Sequence, residues 1–378
     1  MKIGLVCPYN IAKGGGVQEV VKALYNEYVK RGHEVAIVTP QVKDPCVAQS
    51  QRMIFLGTAT DFKTPLATTA QLSASVLTDE IDAMLEHENF EVLHFHEPWV
   101  PVLSRQILSR STCANVATFH AKLPETIASR ALAKVIIPYT KPLLRHIDVL
   151  TAVSPAAADY VESLTDTEIT IIPNGIQTLH YRRPARLAQS RKKTILYVGR
   201  LEKRKGLKYL LLAFAILQDT RENVRLVIAG DGVDREKLQE MAREYGVAES
   251  VEFLGYVDDK TKLQLLHSAS LFCSPALYGE SFGIVLLEAM ASGLVTVAGN
   301  NPGYESVMSG LGQLSLVDPR DSREFAHRMD LLLTDAGLRE LWKKWAKKHV
   351  RQFEYTKVAD QYLAAYDTAL SRSAAEAD

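Results

Sequence analysis

The stretch TILYVGRLEKRKGLKYLLLAFAILQ, residues 194–218, indicates the fold of this chain. Its apolar start, residues 194–199, is typical of a strand that is buried on both faces of a parallel sheet. A polar turn with a glycine follows, and apolar residues then recur at helical spacing over 207–218. A strand, a short turn and a helix in this order make half of a β-α-β crossover, which joins parallel strands. The stretch therefore predicts an α/β fold built on a parallel sheet.

The same alternation of apolar runs and amphipathic stretches extends in both directions along the chain. Predicted strands cover residues 2–7, 34–39, 91–95, 115–119, 148–153, 194–199, 225–229, 251–254, 270–273 and 294–298. Predicted helices cover residues 17–31, 73–87, 207–218, 234–245, 259–268 and 283–292. We therefore expect two Rossmann-like domains with parallel sheets that face each other across a cleft, into which the carboxyl ends of the strands point.

A polar, basic interval at 178–193 separates the two series of strands and is the expected hinge. It predicts an N-terminal domain over residues 1–176 and a C-terminal domain over residues 177–357. The last helix, at about 358–378, is expected to pack back on the N-terminal domain.

Composition excludes several classes of protein. Of the 378 residues, 47% are apolar and 23% are charged, as in ordinary globular proteins, so disordered and collagen-like chains are excluded. The 44 basic and 44 acidic residues cancel, which disfavours a nucleic-acid partner. The four cysteines form no C-x-x-C pair and are typical of thiols in a reducing compartment. Without a signal peptide or an apolar run of about 20 residues, a cytoplasmic location is expected.

A glycine-rich loop, Gly14-Gly15-Gly16, follows the first predicted strand and begins a helix at Val17. Such a loop brings backbone N–H groups close to an anion at a helix N-terminus, although a plain surface loop is the alternative. It does not fit the dinucleotide fingerprint, because Glu19 stands at the last position, and no Gly-Lys-Ser/Thr follows it. An NAD-dependent enzyme is therefore disfavoured.

Cations cluster in the turn after the strand at 194–199, where Arg200, Lys203, Arg204 and Lys205 precede Gly206. Arginine offers a phosphate two parallel hydrogen bonds, and lysine offers a point charge. A diphosphate would suit this cluster, and a solvated charged turn is the alternative.

The most specific motif is GESFGIVLLE at residues 279–288. Glu280 and Glu288 are separated by seven residues, so we expect them along one helix edge, with Glu280 at the helix start. A carboxylate there can accept hydrogen bonds from sugar hydroxyls, and Glu288 can do the same for a ribose. At that helix start the backbone amides of Phe282, Gly283 and Ile284 would be free to bind a phosphate. The alternative, a surface helix, fits poorly because the apolar run indicates burial.

Taken together, these motifs resemble the retaining glycosyltransferases of family 4, which have the GT-B fold. The resemblance covers essentially the whole chain in order. Its motifs are the glycine loop before Val17-Gln18, His94-Phe95-His96-Glu97-Pro98, Thr118-Phe119-His120, Ile172-Pro173-Asn174-Gly175, Gly199-Arg200 with Lys205-Gly206, and the Glu280 and Glu288 pair. Within the family the chain is most similar to bacterial phosphatidylinositol mannosyltransferases.

The resemblance implies a retaining transferase that moves a hexose of the mannose or glucose type from a GDP-sugar or UDP-sugar to a lipid or glycan acceptor. A phosphatidylinositol-like lipid is the acceptor that the mannosyltransferases suggest. The implied catalytic residues are His120, Glu280, Arg200 and Lys205. The implied donor-binding residues are Gly16, Arg200, Lys205, Val257, Glu280, Phe282, Gly283, Ile284 and Glu288, and the implied acceptor-binding residues are Tyr9 and Gln18. No Asp-x-Asp motif occurs, so no metal site and no required cofactor are expected.

One residue departs from the pattern of the mannosyltransferases, and alternative functions remain open. Glu125 stands where those enzymes place an acceptor-side lysine, and the nearest cation is Lys122. A nucleotide-sugar epimerase with the GT-B fold, and a non-catalytic nucleotide-sugar-binding module, are the alternative functions. A zinc site at His94 and His96 is disfavoured because no third ligand has suitable spacing.

Two basic segments could contact a membrane. Residues 121–147 hold five cations against one acidic residue, Glu125, among interleaved apolar side chains, and could rest on the anionic inner face of a plasma membrane. The second is the helix of Trp342 and Trp345, whose lysines are more typical of a solvated face.

Overall fold

The computed structural model describes residues 1–12, 14–41, 51–63, 69–73, 77–100, 102–122, 138, 140–184 and 192–377. They form two compact units. The first consists of Met1–Gly175 with Tyr355–Asp378, and the second of Ile176–Glu354.

The sheet of the first unit has the strand order β4-β3-β2-β1-β5-β6-β7-β8. Its strands are β1 Lys2–Val6, β2 Glu34–Gln41, β3 Met53–Lys63, β4 Thr69–Ser73, β5 Val92–His96, β6 Ala114–Phe119, β7 Val149–Ala152 and β8 Ile169–Ile171. All neighbours are parallel except β3 and β4, which are antiparallel. The helices before residue 175 that lie wholly within the described residues are α1 Gly16–Lys30, α2 Thr78–Glu88, α3 Leu103–Leu108 and α4 Pro155–Glu162. Strands β5, β6 and β7 are buried along their length, which explains their near-continuous apolar sequences.

The sheet of the second unit is parallel throughout, with the strand order β11-β10-β9-β12-β13-β14. Its strands are β9 Lys193–Val198, β10 Val224–Ala229, β11 Val251–Gly255, β12 Leu271–Ser274, β13 Thr296–Gly299 and β14 Leu316–Val317. Its helices are α5 Leu207–Gln218, α6 Arg235–Glu244, α7 Asp259–Ser268, α8 Ile284–Ala291, α9 Pro302–Val307, α10 Ser322–Thr334 and α11 Ala336–His349.

These two parallel-sheet, Rossmann-like units confirm the predicted α/β fold class. Each predicted strand is present within two residues of its predicted ends. The sequence pattern did not predict β3, β4, β8 and β14, of which β8 and β14 have only three and two residues. The predicted helix start at residue 73 was wrong, because residues 69–73 pair with β3 and α2 begins at Thr78.

The last helix, α12 (Tyr355–Ala377), packs against α1 and against β5, β6 and β7. Its buried apolar side chains join the core that covers this face of the first sheet. Tyr366 forms a hydrogen bond with Tyr28 of α1 at 3.1 Å and another with Nδ1 of His94 of β5 at 2.7 Å. Polar contacts as well as apolar packing therefore hold the helix in place.

Parts of the basic segment and of the expected hinge lie outside the described residues. Of the basic segment 121–147, the structure describes only residues 121–122, 138 and 140–147, and of the expected hinge it omits residues 185–191. Among the described residues, none of the helices is both long and apolar enough to cross a bilayer.

Tyr366→Phe should lower the free energy of unfolding of the first unit by about 2 kcal/mol, because both Tyr28 and Nδ1 of His94 lose a buried partner. Hydrogen exchange of the α12 and β5 amides under increasing urea measures the change. Tyr256→Phe is the matched control, since that side chain is 85% exposed. Equal effects of the two substitutions would contradict the assigned role of the Tyr366 hydroxyl.

Candidate functional site

A cationic turn follows β9 in the second unit. Residues Lys203–Lys205 form one turn of 3-10 helix. Gly206, the N-cap of α5, follows with a φ of 72°, in the left-handed region. A side chain at Gly206 would place its Cβ 2.0 Å from the carbonyl oxygen of Pro275. Glycine at this position therefore lets the cationic turn pack against the loop that leads to Glu280.

Glu280 is the centre of this turn's ion pairs. Its Oε1 accepts a hydrogen bond from Nζ of Lys205 at 2.6 Å and another from Nη1 of Arg204 at 2.8 Å. Only 11% of the Glu280 side chain and 16% of the Lys205 side chain are exposed. Burial lowers the pKa of Lys205, and the charge of Glu280 offsets that effect only in part. The carboxylate and the two cations thus form a charge cluster with little access to water.

The expected placement of Glu280 on a helix with Glu288 was wrong. Helix α8 begins at Ile284, because Gly283 precedes it with a φ of 105° and ends the preceding loop. Glu280 lies in that loop, where its carbonyl oxygen is 2.2 Å from the position that a Cβ at Gly303 would occupy. Of the expected phosphate-binding amides, those of Phe282 and Gly283 also belong to the loop, with the Phe282 side chain buried. Glu280 and Glu288 are separated by seven residues in sequence, but they do not share one helix edge.

Arg200 lies beside this cluster but pairs with a different carboxylate. Its Nη1 is 2.8 Å from Glu202, whose other oxygen accepts from Nε of Arg204 at 3.0 Å. The Arg200 side chain is 48% exposed, so it is more accessible than Lys205. Arg204 was recognised as part of the cationic turn but was missing from the expected site residues; its pairing with Glu280 depends on the tertiary structure.

Glu288 has a separate set of partners. Its Oε1 accepts from the hydroxyl of Tyr181 at 2.8 Å and from Nζ of Lys262 at 2.9 Å. Burial lowers the pKa of Lys262, but the charges of Glu288 and Asp259 outweigh it and raise that pKa overall. Neither partner was predicted from the sequence, because Tyr181 lies in the expected hinge and Lys262 is one of several charged residues on α7. Val257 is half-buried just after β11.

In the first unit, the expected donor and acceptor residues follow β1. Gly16 is the exposed first residue of α1. Gln18 donates from Nε2 to the carbonyl oxygen of Asn10 at 3.4 Å. Tyr9 is half-buried, and burial together with the charge of Glu97 raises the pKa of its hydroxyl.

His120 lies just after β6, next to two residues at the end of β5. Its Nε2 is 2.9 Å from Nδ1 of His96, and its backbone N–H donates to Oε1 of Glu97 at 2.7 Å. Glu97 has a φ of 54°, a left-handed conformation that costs a non-glycine residue about 1 kcal/mol or more. That conformation turns the chain at Glu97, just after β5, and the Glu97 side chain accepts the hydrogen bond from the His120 amide.

His94 lies on the same face of β5, and its ring centroid is 4.1 Å from that of His96. Both of its ring nitrogens form hydrogen bonds, Nδ1 with Tyr366 and Nε2 with Thr118. The zinc alternative is therefore not supported at His94, and among the described residues no group of three or more His, Cys, Asp and Glu side chains is arranged to hold a metal.

Burial controls the ionisation of these side chains. It lowers the pKa of His94 to about 3, that of His120 to about 4, and that of His96 well below its ordinary value. It raises the pKa of Glu97 to about 8, despite the hydrogen bond from the His120 amide. Near neutral pH the three imidazoles are therefore uncharged.

Known proteins match the chain over almost its whole length. The family model described as Glycosyl transferases group 1 matches residues 182–349, and the one described as Glycosyltransferase Family 4 matches residues 14–179. The phosphatidyl-myo-inositol mannosyltransferase of Mycobacterium leprae is 32% identical over 371 residues, which are 97% of each chain.

Two solved structures share the fold. The sucrose-phosphate synthase of Thermosynechococcus elongatus has a TM-score of 0.78 at 20% identity, covering 98% of this chain and 99% of that one. HepE of Anabaena, in complex with UDP and glucose, has a TM-score of 0.77 at 17% identity, covering 97% and 99%.

The stability of the first unit should fall as the pH decreases from about 6.5 to about 4. In this window an unfolded histidine, with a pKa of about 6.5, binds a proton that folded His94 and His120 do not bind. Glu97 acts in the opposite direction, because its pKa is raised in the folded unit. Its contribution to the stability of the unit is greatest below about pH 4.5 and is lost as the pH rises through about 8.

Hydrogen exchange of the β5 and β6 amides between pH 4.5 and 8 measures both effects. Because a glutamine side chain is uncharged at every pH, Glu97→Gln should remove the loss of stability that Glu97 causes between about pH 4.5 and 8. The acid decline below about 6.5, which Glu97 opposes in the parent protein, should therefore become steeper. An acid limb that is flat after correction for intrinsic exchange would contradict the neutral state of the buried imidazoles.

Proposed function

This chain belongs to the glycosyltransferases of family 4, and on that basis we propose that it moves a hexose of the mannose or glucose type from a nucleotide diphosphate sugar to a lipid acceptor, with retention of anomeric configuration. The cluster of Glu280, Lys205 and Arg204 carries this proposal. It places two cations and a carboxylate at the carboxyl end of β9, the edge of a parallel sheet that most often binds ligands.

We propose that the cations neutralise the donor's diphosphate. Cleavage of the bond to the sugar leaves additional negative charge on the nucleoside diphosphate, and fixed cations stabilise that charge without reorganisation. Lys205 and Arg204 are already oriented by Glu280, and half-exposed Arg200 adds a third cation through its contact with Glu202. Protein cations rather than a metal ion would then supply the counter-charge.

Glu280 has two roles in this proposal. Without a donor it supplies the negative charge that Lys205 and Arg204 need in a poorly hydrated place. When the diphosphate oxygens take over those cations, the carboxylate becomes free to accept hydrogen bonds from hydroxyls of the transferred sugar. Binding of the phosphate and binding of the sugar are thus coupled through one side chain.

The remaining roles rest on the family resemblance and on local geometry. Glu288, held by Tyr181 and Lys262, would accept from the ribose hydroxyls of a GDP-sugar or UDP-sugar. His120 would contact the transferred sugar, and Tyr9 and Gln18 would contact the acceptor. A lipid acceptor is supported by the name of the mycobacterial relative, a phosphatidyl-myo-inositol mannosyltransferase.

Glu280→Gln should abolish transfer while binding of GDP or UDP stays equal or becomes tighter, because Arg204 and Lys205 lose their internal counter-ion. Arg200→Ala should weaken nucleoside diphosphate binding about tenfold, the effect of losing one charge-assisted hydrogen bond. Calorimetry with GDP, UDP and ADP measures binding, and transfer from radiolabelled sugar nucleotides to phosphatidylinositol vesicles measures turnover.

Glu240→Gln, an exposed change on α6, is the matched control for the loss of one carboxylate. Near-normal turnover of Glu280→Gln would contradict the role in sugar binding. Conversion of the donor without any acceptor would instead favour the epimerase, and tight nucleotide binding with no product from any acceptor would favour a binding module.

A lipid acceptor also implies a membrane surface, which we propose is anionic and lies on the cytoplasmic side. The described end of the basic segment supports an electrostatic contact. Lys141 and Arg145 are exposed there, whereas Leu143 is buried, so this apolar side chain does not form part of the expected lipid-facing surface. Each cation near an anionic surface contributes about 1 kcal/mol, which salt screens over about 10 Å.

The double variant Lys141→Glu with Arg145→Glu should bind anionic vesicles at least tenfold more weakly than the parent protein, and salt should weaken the parent's binding. Co-sedimentation with vesicles of phosphatidylglycerol and phosphatidylcholine measures it. Lys237→Glu with Lys260→Glu changes net charge equally at exposed positions of the second unit and is the control. Equal binding to neutral and anionic vesicles would contradict the electrostatic contact.

A further inference from the structure

The hydrogen positions in the buried network around His94 can be derived from one carbonyl group. The hydroxyl of Thr151 donates to the carbonyl oxygen of Ala117 at 3.0 Å, and a carbonyl oxygen can only accept. Thr151 therefore has no hydrogen left for Thr118, whose Oγ1 lies 2.6 Å from its own. Thr118 must be the donor in that pair.

The hydrogen position on Thr118 then fixes the tautomer of His94. Because the Thr118 hydroxyl has given its hydrogen to Thr151, it accepts from Nε2 of His94 at 2.6 Å. Nδ1 of His94 consequently carries a lone pair and accepts from the hydroxyl of Tyr366. His94 is thus a neutral imidazole with a defined tautomer, in agreement with its lowered pKa.

His96 lies between two other imidazoles. Its ring is 4.1 Å from the ring of His94 and 5.1 Å from that of His120, nearly parallel to the latter. These contacts fix the plane of the ring, so Nδ1 points at Nε2 of His120, 2.9 Å away. Nε2 of His96 is buried and has no hydrogen-bond partner among the described residues.

The unpaired nitrogen decides which ring is the donor. If His120 donated, the hydrogen of neutral His96 would lie on Nε2, and a buried N–H would be left without an acceptor in the described part of the chain. A buried lone pair without a partner is the less costly defect, since orphaned N–H groups are rarer in folded proteins than under-used acceptors. The hydrogen of His96 therefore lies on Nδ1 and is donated to His120.

We infer that His96 is a positioning residue that fixes His120 in the tautomer with its hydrogen on Nδ1, so that His120 offers a ligand oxygen a neutral N–H donor. Glu97 complements this by holding the backbone N–H of His120 at 2.7 Å. Asn174 opposes the lowering of the His120 pKa, as an acceptor beside a ring N–H does, and its buried Oδ1 makes no hydrogen bond of normal geometry among the described residues. The Nδ1 hydrogen of His120 is thus held only by this imperfect contact, and a ligand oxygen could take it over. The inference rests on the proposed function only for the ligand, a hydroxyl of the transferred sugar.

Nitrogen-15 NMR of the whole protein with labelled histidine tests the tautomer without any substrate. The ring nitrogen shifts of His120 should show a protonated Nδ1 and an unprotonated Nε2 in the parent protein. In His96→Asn the side-chain amide replaces the Nδ1 donor, so the pattern should persist. In His96→Leu, which removes the donor, His120 should become a mixture of tautomers. A hydrogen on Nε2 in the parent protein, or an unchanged pattern in His96→Leu, would overturn the inference.

Turnover provides the second measurement. His96→Leu should lower kcat about tenfold or more with little change in the dissociation constant of GDP or UDP, because misorientation of a group near the reaction slows the reaction. His96→Asn should recover most of that loss, and exposed His327→Gln is the control. Equal losses in the Asn and Leu variants, with both still folded by hydrogen exchange, would contradict positioning. Absence of transfer by the parent protein would count against the proposed function alone, because the NMR result does not depend on it.

Discussion

The contact of Glu280 with Lys205 and Arg204 is the interaction on which the second unit's site depends. A lysine with 16% of its side chain exposed must have a counter-charge, and the carboxylate supplies it through a single oxygen. The loops on both sides are shaped to allow this contact. Gly206 lets the cationic turn approach Pro275, and Gly303 leaves room for the backbone of Glu280. The glycines are therefore as much part of the site as the charged groups.

In the first unit the buried groups next to α12 are neutral and are not paired charges. The buried polar groups between α12 and strands β5 to β7 are uncharged imidazoles and hydroxyls. A continuous series of hydrogen bonds from Tyr28 through Tyr366, His94 and Thr118 to Thr151 stabilises them. Helix α12, from the end of the chain, supplies Tyr366 to this network. The chain's return to the first unit thus completes the hydrogen bonding of β5 and β6 as well as the apolar core.

The two units therefore offer different chemistry to a ligand. Cations and carboxylates in the second unit suit an anionic diphosphate and its sugar, whereas neutral rings in the first suit hydroxyl groups. Burial is the common cause. It keeps the imidazoles uncharged near neutral pH, and it makes the paired charges of the second unit sensitive to loss of either partner.

The sequence alone determined the α/β class, the strands of both sheets that are buried along apolar runs, and the family, because strand and helix periodicities and ordered motifs are local properties. It missed the short strands β8 and β14 and the antiparallel pair β3 and β4, whose stability comes from pairing rather than from local pattern. It also placed Glu280 on a helix, since spacing in sequence cannot show that Gly283 would end the loop first. The partners of Glu280, Glu288 and His120 come from distant parts of the chain, and so only the tertiary structure decided them.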